Sequence, residues 1–201
     1  MSCDPPPAQP LPETATQLTV VYETHTTTTD NERGIATGWL PGSLSEAGRR
    51  EAQELGKRRH NDHIAAVFAS DLHRAVETAE IAFLETKIPI YYDARLRECN
   101  YGAMNGMPVA QFAGKRVQHI ATPFPKGDSY CDVVERMRTF LGDINRCYEN
   151  KRIVVIGHSA NRWSLEHLVN GTALEDLVDA PFSWRPGWEY VVKGLRAKPV
   201  G

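Results

Sequence analysis

The sequence lacks the features that mark several classes of protein. Its 201 residues contain no apolar run near the roughly 20 residues that a membrane-spanning helix needs. The 23 Lys and Arg residues nearly balance the 25 Asp and Glu residues, which gives a net charge of −2. The sequence has no basic stripe of the kind that is typical of nucleic-acid binding. The first residues have neither a basic start nor an apolar core, so no signal peptide is predicted. We therefore expect neither a membrane nor a nucleic acid as a partner.

Cysteine is scarce, and its four positions show no paired spacing. This usage predicts a reduced, cytoplasmic protein without disulfides or a cysteine-based zinc site. Four enzyme signatures are also absent: a Gly-x-Ser-x-Gly elbow, a Walker loop, a Gly-x-Gly-x-x-Gly turn after a strand, and a His-Glu-x-x-His pair. The chemistries that depend on those signatures are therefore disfavoured.

Strand-like and helix-like segments alternate along the chain. Apolar, β-branched runs predict strands at 18–22, 64–70, 88–92, 153–156 and, as an edge strand, 184–193. Helices are predicted at 46–60 after Ser45, from Asp71 as N-cap to near 84, at 109–119, at 131–148 and at 161–170. The alternation predicts an α/β fold of three layers, with a mostly parallel mixed sheet of about six strands.

The domain organisation follows from the same reading. Residues 1–16 are Pro-rich and are predicted to be a disordered tail. Residues 17–201 are predicted to form one domain, in which the irregular stretch 93–130 is a lid, because long insertions of this kind usually carry function.

Two of the predicted strands end in a histidine, His25 and His158, about 130 residues apart. In open α/β sheets, sites lie at the carboxyl ends of strands. Arg74 falls in the first turn of a predicted helix after another strand, and Glu98 lies in the irregular stretch. A neutral imidazole can carry a phosphoryl group, an arginine can bind phosphate, and a carboxylic acid can move the proton. These four residues together therefore favour phosphoryl transfer.

Motifs in this order resemble the histidine phosphatase superfamily, also called phosphoglycerate mutase-like, over nearly the whole chain from Leu18. The motifs that carry the resemblance are His25 with Thr28 and Asn31, Gly38 with Leu44-Ser-Glu-Ala-Gly48, Ala69-Ser-Asp-Leu-His-Arg74-Ala-Val-Glu-Thr78-Ala, Arg95-Leu-Arg-Glu98 with Tyr101-Gly, Gly127-Asp-Ser, and Val154-Val-Ile-Gly-His158.

The resemblance implies a phosphoglycerate mutase-like fold and assigns roles by position. His25 resembles the phosphorylated nucleophile and Glu98 the proton donor. Arg74, His158 and Asn31 resemble phosphate-binding groups. The family needs no metal, so no metal site and no cofactor are expected.

One departure from the family pattern affects the site itself. The family nucleophile sits in Arg-His-Gly, whereas here the triplet is Thr24-His25-Thr26. The missing cation could be replaced by Arg33, our first choice, or by Arg162, with hydroxyls of Thr24 and Thr26 as partial substitutes. His73 is a further alternative. The preceding Glu23 would repel phosphate, so it is expected to point away or to pair with Arg33 or Arg162.

The predicted function is a metal-independent phosphatase acting on a small phosphorylated metabolite through a phosphohistidine on His25. The predicted substrate pocket includes Thr37, Trp39, Tyr101 and Met104. Two alternatives stay open: a phosphoglycerate mutase-like phosphotransferase, and a pseudo-phosphatase that binds an anionic ligand without turnover. A homodimer also stays open.

Overall fold

A computed structural model describes residues 17–112, 114–181 and 185–193. The predicted tail at 1–16 and Trp184 lie outside the described residues. Within those ranges there are seven strands: β1 Gln17–Thr24, β2 Ile35–Ala36, β3 Ala66–Ala69, β4 Ile90–Tyr92, β5 Met107–Pro108, β6 Arg152–Gly157 and β7 Trp188–Lys193. The helices are α1 Thr29–Glu32, α2 Glu46–Arg59, α3 His73–Phe83, α4 Val109–Phe112, α5 Tyr130–Cys147, α6 Ser159–Leu165 and α7 Leu174–Leu177.

Five of the strands form one sheet in the order β4-β3-β6-β1-β7. The first four run parallel, and β7 pairs antiparallel with β1 at the edge, as predicted. The prediction of about six strands was one too high. The short strands β2 and β5 pair antiparallel with each other in a separate two-stranded sheet instead of extending the main one.

Helices cover both faces of the main sheet because successive side chains of a strand point to opposite faces. Val20 and Tyr22 of β1 pack into one buried cluster with Phe140 of α5. Val21, between them, packs into another cluster with Leu55 of α2 and residues of α3. The three-layer prediction is therefore confirmed.

Helix α2 begins where predicted, with the Ser45 hydroxyl accepting a hydrogen bond from the backbone N–H of Gly48 at 3.2 Å. The N-cap prediction for α3 was wrong. This helix starts at His73 after Leu72 and has no side-chain cap. The Asp71 carboxylate instead accepts two hydrogen bonds from Arg97, at 2.5 and 2.7 Å.

The predicted lid consists of short pieces. Between residues 94 and 119 lie three single-turn 3-10 helices, β5 and α4. The helix predicted over 109–119 is divided into α4 and a 3-10 turn, Arg116–His119. Tyr101, Phe112 and Phe124 are buried there in one aromatic cluster, with ring centroids 4.5–5.4 Å apart. Aromatic packing therefore holds this stretch, and whether it moves as a lid stays a prediction.

The later elements agree closely with the sequence. Ser129 caps α5 through a capping box with Asp132. Helix α6 continues as a π-helical turn, Glu166–Asn170, and ends at Gly171 in a left-handed conformation. Within the described residues, no helix combines the length and apolar character needed to cross a membrane.

Candidate active site

Two histidines follow directly on neighbouring parallel strands. Thr24 ends β1 opposite Gly157, which ends β6, and the backbone N–H of His25 donates to the Gly157 carbonyl at 2.9 Å. Since each histidine is the next residue of its strand, the sheet brings their side chains together. The two ring centroids are 5.1 Å apart.

The hydrogen bonds of His25 define its tautomer. Its Nδ1 lies 2.9 Å from the backbone carbonyl oxygen of Thr26, which can only accept, so Nδ1 carries the proton. Nε2 is therefore unprotonated, and its lone pair accepts a hydrogen bond from Nε of Arg74 at 3.2 Å. Burial and the neighbouring Arg74 charge lower the pKa of His25 to about 3. At neutral pH this imidazole is uncharged, the form required of a nucleophile.

Arg74, in the first turn of α3, joins the two histidines. It is 3% exposed, and its Nη2 donates to the Gly38 carbonyl at 2.8 Å and to Nδ1 of His158 at 3.2 Å. Because Nδ1 of His158 accepts, the proton of this neutral ring resides on Nε2. Burial and the Arg74 charge hold the pKa of His158 well below its usual value.

Nε2 of His158 is buried and has no hydrogen-bond partner in the described part of the chain. A buried N–H left without a partner costs about 1–3 kcal/mol. An anion placed beside His25 would offset that cost by accepting from this nitrogen. The unpartnered N–H of His158, in a ring 5.1 Å from that of His25, is compatible with an anion bound between the two rings.

Glu98 supplies a carboxyl group that lines one cavity together with His25 and Arg74. Its Oε1 accepts from the backbone N–H groups of Cys99 at 2.8 Å and of Ala160, near the start of α6, at 3.3 Å. Burial raises the pKa of Glu98, and the Cys99 N–H and the Arg74 charge oppose that rise. Burial thus favours the protonated acid, the form that can donate to a leaving group.

A cavity of about 300 Å³ connects His25, Arg74 and Glu98, whereas His158, whose ring centroid is 5.1 Å from that of His25, does not line it. Of the side chains predicted for the site, those that line it are His25, Thr37, Arg74, Glu98, Tyr101 and Arg162. Three other predicted site residues, Trp39, Met104 and Thr26, do not line this cavity. Trp39 donates from its indole N–H to the Glu98 carbonyl at 2.7 Å, and Met104 packs against the aromatic cluster. Thr26 contacts Thr78, with the two hydroxyl oxygens 3.2 Å apart.

A second cavity, of about 580 Å³, lies on another side of His25. Thr24, Thr26 and Asn31 line it together with one face of α2. The Asn31 side-chain oxygen accepts from the backbone N–H and the hydroxyl of Thr28 in a capping box. Arg33, our first choice as the replacement cation, is exposed at the C-cap of α1 and lines neither cavity.

The predicted partners of Glu23 were wrong. This buried carboxylate accepts from Nη2 and Nε of Arg59 at 2.6 and 2.9 Å, with Arg58 at 3.4 Å. Neither Arg33 nor Arg162 reaches it. The C-terminal turn of α2 thus brings Arg58 and Arg59 to the end of β1. The expectation that Glu23 is neutralised by arginine is met, but by a different element.

Arg116 also lines the cavity of about 300 Å³, and no motif or spacing in the sequence pointed to it. It sits in an irregular, polar stretch where periodicity carries no information about which side chain points inward. Asp179, which lies 3.7 Å from an Arg116 nitrogen, likewise enters the cavity wall unpredicted.

A model of the family described as the histidine phosphatase superfamily, branch 1, matches residues 24–183. The chain belongs to the histidine phosphatase superfamily. Among its relatives, phosphoglycerate mutase-like protein 4 of Arabidopsis thaliana is 32% identical over 151 residues, which cover 69% of this chain and 65% of that one. The uncharacterized phosphatase PhoE of Bacillus subtilis is 27% identical over 58% of this chain and 59% of its own.

The fold agrees with this membership. The solved structure of YhfR from Bacillus stearothermophilus superposes with a TM-score of 0.75 at 27% identity, covering 90% of this chain and 98% of that one. The matched stretches span less than two thirds of the length of the two curated relatives above. The superfamily and its phosphoglycerate mutase-like fold were both predicted from the sequence, and both are confirmed.

Proposed function

We propose that the protein is a phosphoric monoester hydrolase that acts on a small phosphorylated compound. The observation that carries the proposal is the protonation state of two groups in one cavity. His25 is neutral and its Nε2 is unprotonated, and burial of Glu98 favours the protonated form of its carboxyl group. Relatives named as phosphatases support the same class of reaction.

In the first step, Nε2 of His25 attacks phosphorus while the bond from phosphorus to the ester oxygen breaks. Glu98 gives its proton to that oxygen, so the alcohol departs neutral and phosphohistidine remains. Arg74 and the Nε2–H of His158 bind the oxygens of the transferred group and stabilise its developing charge.

In the second step, the Glu98 carboxylate removes a proton from water as the oxygen attacks phosphorus. The bond from phosphorus to nitrogen breaks, inorganic phosphate leaves, and His25 and Glu98 return to their starting protonation states. No step of this scheme requires a metal ion or a cofactor, and the roughly 300 Å³ cavity suits a small substrate.

The test is hydrolysis of p-nitrophenyl phosphate by wild type and His25→Ala, with a chelator present throughout. Samples are also quenched in alkaline detergent and assayed for a phosphoenzyme that is lost in acid, as phosphohistidine is. We expect chelator-resistant turnover and a phosphoenzyme, both abolished in His25→Ala. Turnover that survives this substitution would refute the proposal.

One observation favours a second candidate, a pseudo-phosphatase that binds an anion without turnover. The resemblance places an arginine where this chain has Thr24, and that loss weakens the charge around the transferred group. Under this alternative, inorganic phosphate binds, and substitution of Arg74 abolishes its binding, yet no phosphoenzyme forms. A phosphoglycerate mutase-like transfer would instead return the phosphoryl group to an acceptor other than water.

A further inference from the structure

The indole of Trp39 contacts the segment that carries Glu98, although the sequence predicted that this residue would line the substrate pocket. Its N–H donates to the backbone carbonyl of Glu98 at 2.7 Å, across 59 positions of the chain. Nη2 of Arg136, on α5, donates to the same carbonyl at 3.3 Å. The shorter contact comes from Trp39, and it joins the loop after His25 to the residue proposed as the proton donor.

The orientation of the Glu98 carboxyl group depends on the backbone around it. Its hydrogen bonds within the described residues all go to Oε1, from the backbone N–H groups of Cys99 and Ala160. Oε2 is then the oxygen left to carry the proton and to donate it. Because one donor is the peptide that directly follows Glu98, a shift of the backbone at this position would move the carboxyl group as well.

The loop that contains Trp39 also contacts the phosphate-binding side of the site. The carbonyl of the preceding residue, Gly38, accepts from Nη2 of Arg74 at 2.8 Å. Two adjacent residues therefore hold Arg74 at one end and the backbone of Glu98 at the other. An acid must lie within hydrogen-bond reach of the oxygen that it protonates, and a displacement of about 1 Å can cost about 10²-fold in rate. The Trp39 contact thus helps to set the distance between the phosphate site and the acid.

Trp39 is itself held in place. The guanidinium carbon of Arg97 lies 4.7 Å from the centroid of the indole ring, a cation–π contact. Arg97 is fixed in turn by its two hydrogen bonds to Asp71. The backbone N–H of Trp39 donates to the side-chain oxygen of Asn105 at 3.4 Å. An indole that is fixed at both its ring and its backbone can define the position of the carbonyl that it binds.

We propose that Trp39 is a positioning residue whose indole N–H holds the backbone of Glu98, so that the carboxyl group reaches the leaving oxygen. Trp39 does not line the cavity of about 300 Å³, so it acts through Glu98. This inference deepens the proposed function and rests on it. Its consequence is specific: the contribution of Trp39 to the rate grows with the need of the leaving group for a proton.

The test uses Trp39→Phe, which removes the N–H and keeps an aromatic ring beside Arg97. The substrates are phenyl phosphate and p-nitrophenyl phosphate, which share a ring but differ in how much the leaving oxygen needs an acid. We expect kcat/KM to fall about tenfold for phenyl phosphate and less than about twofold for p-nitrophenyl phosphate. A purely structural role would lower both values equally, and that result would overturn the inference.

A double-mutant cycle tests whether Trp39 acts through Glu98. In the Glu98→Gln background, Trp39→Phe should cause no further loss of kcat/KM with phenyl phosphate, because no acid remains to be positioned. Independent, multiplying losses would overturn the inference. The matched control is Trp188→Phe, the same substitution in β7 at the edge of the sheet, which should leave the ratio between the two substrates unchanged.

A second readout does not depend on turnover. The titration of the Glu98 carboxyl group is followed by ¹³C NMR and assigned with Glu98→Gln. Burial raises the pKa of this group, so release of its backbone in Trp39→Phe should let water in and shift the pKa down, toward its ordinary value. An unchanged titration would overturn the inference. If wild type showed neither turnover nor a phosphoenzyme, the phosphatase proposal would fail, and the titration would still decide whether Trp39 positions Glu98.

Discussion

Thr24 is the position at which a single substitution should raise activity. Where the resemblance places an arginine, this half-buried threonine ends β1 and lines the cavity of about 580 Å³ beside His25. Thr24→Arg has room for its longer side chain in that cavity. The adjacent Glu23 is already bound by Arg59, and the two other carboxylates that line this cavity, Glu51 and Glu54, lie on α2.

The expected gain follows from one new charge-assisted contact to the transferred group. Such a hydrogen bond contributes about 1.5–3 kcal/mol, equivalent to about 10- to 150-fold in kcat/KM if it forms in the transition state. Thr24→Arg would also place a second positive charge near Arg74 in the free enzyme. We therefore expect a small loss of stability that added phosphate reverses.

The assay is hydrolysis of p-nitrophenyl phosphate, with the Kd for inorganic phosphate as an independent measurement. Thr24→Met is the matched control, because it adds a long side chain without charge. An equal gain in Thr24→Met would show that filling the cavity matters and not the charge. A folded Thr24→Arg protein with neither tighter phosphate binding nor faster turnover would refute our account of the site.

Three further predictions concern the proton donor, the neutral histidines and the buried ion pair. Glu98→Gln should lower kcat for alkyl phosphates by about 10²–10⁴-fold, because their leaving group needs a proton donor. The leaving group of p-nitrophenyl phosphate needs no acid, so rapid mixing of this variant with that substrate should show a burst of nitrophenol followed by slow dephosphorylation. The pKa of His158 is depressed in the folded state, so below pH about 6.5 the unfolded state binds more protons than the folded state. The free energy of unfolding should therefore decrease as pH falls below that value. This decrease should be shallower in His158→Gln. Glu23→Gln should lower the unfolding free energy by about 1–3 kcal/mol, because it removes the buried charge that pairs with Arg59, which keeps its contact with Asp62 at 2.9 Å. Lys57→Gln, which breaks an exposed pair, should change it by less than about 1 kcal/mol, and equal effects of the two would contradict this account.

Much of the fold could be predicted because its signals are local. The apolar run from Leu18 to Tyr22, the N-cap at Ser45 and the stop at Gly171 each depend on a few adjacent residues, and the structure has all three features. The prediction for Asp71 failed for a non-local reason. Its carboxylate has a stronger partner in Arg97, which is brought to it from 26 positions away.

The sequence by itself determined which residues stand at the ends of the strands. A histidine directly after each of two buried parallel strands lies at one edge of the sheet. That His25 and His158 are neighbours depends on β1 and β6 being adjacent, which the structure shows. The same reasoning identified Arg74, at the start of a helix after a neighbouring strand. Motif order then identified the superfamily.

Only the tertiary structure decided which arginine neutralises Glu23 and which ones face the cavity. Arg33, the nearest candidate along the chain, lies exposed at the end of α1, whereas Arg59 reaches Glu23 because α2 packs against β1. Arg116 and Arg162 line the cavity, the first with its guanidinium near the nearby Phe112 ring and the second with its guanidinium near the distant Trp188 ring of β7. Long side chains have no periodicity that reports their direction, so their partners are set by packing between segments far apart in the sequence.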